Sequence, residues 1–301
     1  MKIRLPALGV ILLLGWSNPL SASATQPGEP AVRTPGAGAK VDLRPKFKAG
    51  QTHKFKLQMQ ASGRDESAEL GTQTQSISQE IGIALKVKTA DREKGATLDL
   101  VYESIKIRLR PPGGGDEIEF DSTKKAGDDP IAMILQPIVG LTLQLTADKD
   151  GNITGLETAG LSGVAAGLAG QFTGADVIKN LIGPIFTLRR GGGEAAVGES
   201  WTNEDRIDAP WGKINLITTN TLKSHKANIA DIDIKGAFSL DAASAGGQVP
   251  SIKDSLLTGS ARWNTETGML TEMNTRQKLS MESAASGKSI KEMTLKVTAV
   301  K

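Results

Sequence analysis

Cysteine is absent from this chain of 301 residues. Its absence excludes disulfides, thiolate metal sites, a cysteine nucleophile and the acylated cysteine of a bacterial lipoprotein. Histidine is scarce: His53 and His225 are the two present. A histidine-based triad or zinc site would have to use one or both. No serine sits in a G-x-S-x-G elbow. Aromatic residues are few, with one Tyr, six Phe and four Trp. Trp201, Trp211, Trp263 and Tyr102 are too scattered in sequence to suggest a flat platform for stacking sugars. An excess of one charge is also lacking, since 36 Lys and Arg face 33 Asp and Glu. Two of the basic residues, Lys2 and Arg4, lie at the extreme N-terminus. A chain this near neutrality has no global field to attract nucleic acid or an anionic membrane surface. No nucleophile, base and metal set can be assembled from these residues, so no catalytic residue, metal or cofactor is expected.

Long apolar runs are missing too, apart from two stretches. The first follows Lys2 and Arg4 as "LPALGVILLLGW" and leads to Ala22-Ser23-Ala24. A basic start, a short apolar run and small residues at the cleavage positions predict a secretory signal peptide over residues 1–24, cut before Thr25. The apolar run is shorter than the roughly 20 residues that cross a bilayer well, so no span is expected after cleavage. The expected location is outside the cytoplasm, in the periplasm or the extracellular space. Residues 25–40, "TQPGEPAVRTPGAGAK", offer little to bury and read as a flexible Pro/Gly/Ala linker. Residues 41–301 then form one domain, long enough to be stabilised by core burial without disulfides.

The domain opens in period two. "THKFKLQMQ" sets Phe55, Leu57 and Met59 on one face against Lys54, Lys56, Gln58 and Gln60 on the other. "SISQEIGIALKVKTA" continues with Ile81, Ile83, Leu85 and Val87. "ATLDLVYESIKIRLR" carries Leu98 and Leu100, then Ile105, Ile107 and Leu109 in the other parity. That switch predicts a bulge between Tyr102 and Ser104. Strands with one apolar and one wet face belong to antiparallel sheet. After the glycines of "RRGGG" the alternation resumes through Ile214, Leu216, Ile232, Ile234, Phe238 and Leu240. A hairpin turning at Glu266-Thr267-Gly268 follows, then a last strand with Met293, Leu295 and Val297. "KAGQTHKFKLQ" is echoed by "AVGESWTNEDR", and "TADKDGNITGLE" by "RWNTETGMLTEM". These echoes describe two β halves flanking the centre, related by duplication or by reuse of the same turns.

Helical spacing is confined to a central insertion, about residues 129–186, which holds the second apolar stretch. Asp129-Pro130 is a cap followed by proline at the first helical position. Ile131, Ile134, Leu135, Ile138 and Val139 follow, and Pro137 kinks or ends that helix. "GLSGVAAGLAGQFTGADVIKNLIGPIF" contains a glycine-weakened helix with Leu161, Val164, Leu168 and Phe172 on one face. A capping box, Thr173-x-x-Asp176, then starts a second helix with Val177, Ile178, Leu181, Ile182 and Ile185 on one face, its end marked by Pro184.

The remaining motifs have plain explanations. "TADKDGNITGLE" approaches the spacing of an EF-hand loop, but Thr146 stands where the first carboxylate belongs and both flanks alternate as strands. A hairpin turn accounts for Asp-x-Asp-Gly. "RPPGGGD" and "RRGGG" lack the Gly-Lys-Ser/Thr of a phosphate loop and read as connections. Asp231 and Asp233 alternate with isoleucines and point to the wet face.

The segments "FKAGQTHKFKLQMQ", "LTADKDGNITGLE", "VGESW" and "GSARWNTETGMLTEM" resemble a family of exported bacterial proteins known as a domain of unknown function. That resemblance implies an exported, mostly antiparallel domain and no established activity. The order of strands, apolar helices and more strands is also similar to periplasmic lipoprotein carriers, a half-barrel lidded by helices. The expected fold is α+β: a large, curved antiparallel sheet, half-barrel-like, with a few helices packed on its concave face. The expected role is that of an exported non-catalytic envelope protein. In one reading it binds a lipid or other apolar small molecule between sheet and helices, against Leu161, Val164, Leu168, Phe172, Ile178, Leu181, Ile182 and Ile185. In the other it is a scaffold with a closed core and an envelope protein as partner.

Overall fold

Alternation of apolar and charged side chains produces strands long enough to dominate the molecule. The structure is a computed structural model that describes residues 40–67, 71–124, 130–158, 175–189, 193–209, 212–241, 250–283 and 287–300. Residues 1–24, expected as a signal peptide, and nearly all of 25–40, expected as a linker, lie outside them. Five strands precede the helical insertion: β1 (Val41–Asp42), β2 (Thr52–Ser67), β3 (Gly71–Asp91), β4 (Gly95–Arg110) and β5 (Ile118–Asp121). Helix α1 (Pro130–Leu135) runs into a 3₁₀ turn at Gln136–Ile138 that accommodates Pro137. Strands β6 (Thr142–Ala147) and β7 (Ile153–Thr158) come next, then helix α2 (Ala175–Phe186). The chain finishes through β8 (Glu194–Ala195), β9 (Ser200–Ala209), β10 (Gly212–Lys226), β11 (Ile229–Asp241), β12 (Ser251–Asn264), β13 (Met269–Ser283) and β14 (Gly287–Val300).

Twelve of these strands form one antiparallel sheet that is not closed. Its order is β7-β6-β4-β3-β2-β14-β13-β12-β11-β10-β9, with β5 pairing the distal half of β4 beyond β6. Two up-and-down arms meet where the first long strand, β2, pairs with the last, β14. The two remaining strands, β1 and β8, form a ribbon of their own.

The bulge expected from the parity switch is present. Gly82 lies opposite Ser104 while the next residue, Ile83, lies opposite Tyr102, so Glu103 is the inserted residue. It lets Leu98, Leu100 and Tyr102 share the buried face with Ile105 and Ile107. The opposite face carries ion pairs between neighbouring strands, among them Lys56–Glu80, Lys88–Asp99, Arg262–Asp231 and Lys296–Glu272, and Lys54 on β2 reaches across β3 to Glu103 on β4. One side of the sheet is therefore apolar and the other wet, as the sequence alternation requires.

One boundary departs from the sequence reading. Pro184 lies inside α2 and does not end it. Proline forfeits only one backbone donor, and the helix stops at Phe186, two residues later. The amide of Thr187 still donates to the carbonyl of Gly183 at 3.1 Å, which completes the last turn.

Candidate functional site

Helix α2 is where the apolar sequence meets the sheet. Ile178, Ile182, Ile185 and Phe186 are fully buried, and Leu181 is half-buried against the same cluster. Leu161, Val164, Leu168 and Phe172 lie outside the described residues. The helix packs against β7, an edge strand, and against β13, from the other arm of the sheet. Just past its C-terminus, the carbonyl of Leu188 accepts from the Trp201 indole at 2.8 Å and from the Asn203 amide at 3.2 Å, both on β9, the opposite edge. Arg189 fixes this junction. Its guanidinium lies 5.3 Å from the centre of the Trp201 ring, pairs with Glu199 at 3.0 Å and donates to the carbonyl of Glu194.

The end of the sheet beneath α2 is strapped by residues 41–48. Leu43 donates from its amide to the carbonyl of Gly193. Phe47 meets Phe186 edge-on, with ring centres 5.7 Å apart. The ammonium of Lys46 donates to the carbonyl of Thr265 at 2.6 Å, in the β12–β13 turn. Burial opposes ionisation of Asp42, yet the hydrogen bonds and charge of Arg44 outweigh it and hold the Asp42 carboxyl below its usual range. A depressed carboxylate contributes stability above its unfolded pKa and loses it as pH falls through the folded value. Asp42→Asn should therefore lower the urea midpoint at pH 7, and the gap to the parent should close as both are titrated through the acidic carboxylate range. An equal gap at every pH would assign the effect to packing.

The inward face also holds polar side chains that alternation alone assigns to the core. Gln79 is 5% exposed and Asn220 is 3% exposed. Thr218, Thr275 and Gln277 are buried as well, and so is Asp205 at 1%. Directly opposed residues place three of these on one level across the sheet: Gln79 to Met59, Leu295, Thr275, Gly259, Ile234 and Asn220 in turn. Gln277 and Thr218 occupy the adjacent level, linked through Leu257 and Gly236. The Nε2 of Gln79 and the Nδ2 of Asn220 have no hydrogen-bond partner, nor has the indole nitrogen of Trp263. Gln277 reaches only the thioether of Met293, at 3.5 Å. The sequence signal was available: Gln79 stands in phase with Ile77, Ile81 and Ile83, where a half-buried strand calls for an apolar residue.

Other candidates resolve into structure. Asp148 spends its carboxylate on the β6–β7 turn, accepting from the amides of Asp150 and Asn152 and from the side chain of Asn152, each at 2.9 Å. His53 is half-buried, and desolvation lowers its pKa. His225 is exposed and shares a 3.0 Å hydrogen bond with Thr265. Tyr102 is buried, which pushes its phenol up and away from acid chemistry at neutral pH. Outside the sheet, Ser62, Ser76 and Ser78 floor a polar trough walled by Arg108, Arg110 and Arg276. Glu117 pairs with the first two arginines and Glu292 with the third, so the trough presents little net charge.

No family model matches the chain, and no curated protein matches it. Among solved structures it is similar to DynF from the dynemicin biosynthesis pathway of Micromonospora chersina, at 6% identity over 92% of each chain with a TM-score of 0.20. It is also similar to an outer membrane channel from Pseudomonas putida F1, at 8% identity over 85% of this chain and 98% of that one, again with a TM-score of 0.20. Likenesses at that score carry no weight for fold or function.

Proposed function

We propose that this is an exported, non-catalytic binding protein that holds a lipid or other apolar molecule between its sheet and its helices. The observation that carries the reading is the reach of α2. Strands β7 and β9, the two edges, are ten strand spacings apart, roughly 48 Å on a flat sheet at about 4.8 Å each. A helix of 12 residues spans only about 18 Å. Yet α2 touches β7 and β13, and Leu188 behind it bonds to β9. We infer that the sheet rolls around the helix as a half-barrel, with its apolar face inward. The ion-paired face then lies outward in water. A transmembrane barrel would instead turn an apolar band outward.

The second reading is a scaffold with a sealed core. The complete burial of Ile178, Ile182, Ile185 and Phe186 favours it, because at that level the helix packs as ordinary interior. Native mass spectrometry of the freshly purified mature protein separates the two. A bound small molecule, released by organic extraction, is expected for the binding protein. A ligand-free mass, together with no saturable uptake of any offered lipid, would leave the scaffold.

A further inference from the structure

We propose that the ligand of this interior is a neutral lipid bearing ester or ketone carbonyls, and that Gln79 and Asn220 donate hydrogen bonds to those oxygens. The inference rests on the binding reading above and names the chemistry of its occupant. Gln79 on β3 and Asn220 on β10 share one level of the sheet, six strands apart, and both project from the apolar face. In a sheet rolled about α2, positions six strands apart face each other across the interior. Each carries an amide N–H donor that is buried and unpartnered. Leaving a buried donor unmet is destabilising, and native structures keep few such groups without a use for them. Trp263, also on the inward face, adds a third orphan of the same kind, an N–H donor. Gln277, one level away from Gln79, has only a sulfur to bond. For these amide and indole groups the missing partners are hydrogen-bond acceptors.

The charge of the site selects among acceptors. Asp205 is buried on the same face, and among the described residues no lysine or arginine is buried. A carboxylate or phosphate head at this level would be desolvated with no buried cation, among the described residues, to compensate it. A carbonyl oxygen accepts the same hydrogen bonds without that penalty, and an acyl chain attached to it matches the surrounding Met59, Leu295, Ile234 and Leu257.

The test uses the mature protein after delipidation, with a fluorescent diacylglycerol and a fluorescent fatty acid as probes at pH 8, where the fatty acid is ionised. Saturable binding of the diacylglycerol at least tenfold tighter than the fatty acid is expected. Gln79→Leu and Asn220→Leu should each weaken the diacylglycerol about tenfold and leave the fatty acid unchanged. Each should also keep or raise the melting temperature of the empty protein, because an orphan donor has been removed. Gln79→Met provides a second, flexible apolar replacement should leucine fit poorly. Equal binding of both probes, or unaltered diacylglycerol affinity in the variants, would overturn this inference while sparing the binding reading. A lowered melting temperature in all three variants would overturn it too, by showing amides already satisfied by water. Failure of both probes to bind, with no lipid in the native mass spectrum, removes the binding reading and this inference together.

Discussion

Ile182→Asp is expected to leave no stably folded protein. Ile182 lies on α2, fully buried, within one apolar cluster shared by both arms of the sheet. An aspartate there would take its charge into the apolar cluster, and the effective penalty for burying an ion is several kcal/mol. A domain's whole stability is about 5–15 kcal/mol, so the substitution consumes most or all of it. Graded truncations should rank below it: Ile182→Val at about 0.5–1.5 kcal/mol and Ile182→Ala at about 2–5 kcal/mol. Leu181→Asp should be milder than Ile182→Asp, since Leu181 is only half-buried and its carboxylate can reach water. Urea unfolding followed by circular dichroism reads the series. If Ile182→Asp unfolded within about 1 kcal/mol of the parent, α2 would not belong to the core. The inferred rolling of the sheet about that helix would then lose its basis.

How much of this architecture is legible in the sequence depends on the distance over which each feature is decided. The strands are local facts. Phe55, Leu57 and Met59 alternate with lysines and glutamines, and β2 follows. The parity switch between Leu100 and Ile105 is local too, and Glu103 bulges there. Pro130 at the first helical position announces α1, with Asp129 outside the described residues, and the spacing of Ile178, Ile182 and Ile185 announces α2. The pairing of β2 with β14 is not local. It joins residues such as Leu57 and Val297, and alternation says only that each strand needs some neighbour. The contacts of α2 with β7 and β13, and of Leu188 behind it with β9, are likewise a product of the assembled fold. Gln79 marks the limit most sharply. Its phase with Ile77 and Ile81 is plain in the sequence, but its significance depends on Asn220, which lies at the same level only because seven strands stand in register between and including them.

Gly268→Ala is expected to destabilise the protein far more than a left-handed glycine in open space would, and the reason lies in the N-terminal strap. Gly268 has φ +63°, a left-handed conformation that costs an L-residue roughly 1–2 kcal/mol. Its added Cβ would stand 2.3 Å from the amide nitrogen of Lys46 and 2.4 Å from the carbonyl oxygen of Arg44. Both are backbone atoms, so no side-chain rotation relieves the collision. Residues 44–46 must move away, and with them go the Lys46 bond to Thr265 and the seat of Phe47 on Phe186. Gly114→Ala is the control. Gly114 has φ +77° but nothing within 4 Å of a Cβ, so it bears the conformational penalty alone. The two alanine variants should differ by about 2 kcal/mol or more, the scale of a displaced buried contact set. The excess should appear in hydrogen exchange as faster exchange at Leu43, whose amide bonds to Gly193 across the strap. Equal unfolding free energies for the two variants would mean that the strap yields without cost. The closure of this end of the sheet would then be a loose covering that contributes nothing to holding α2 in place.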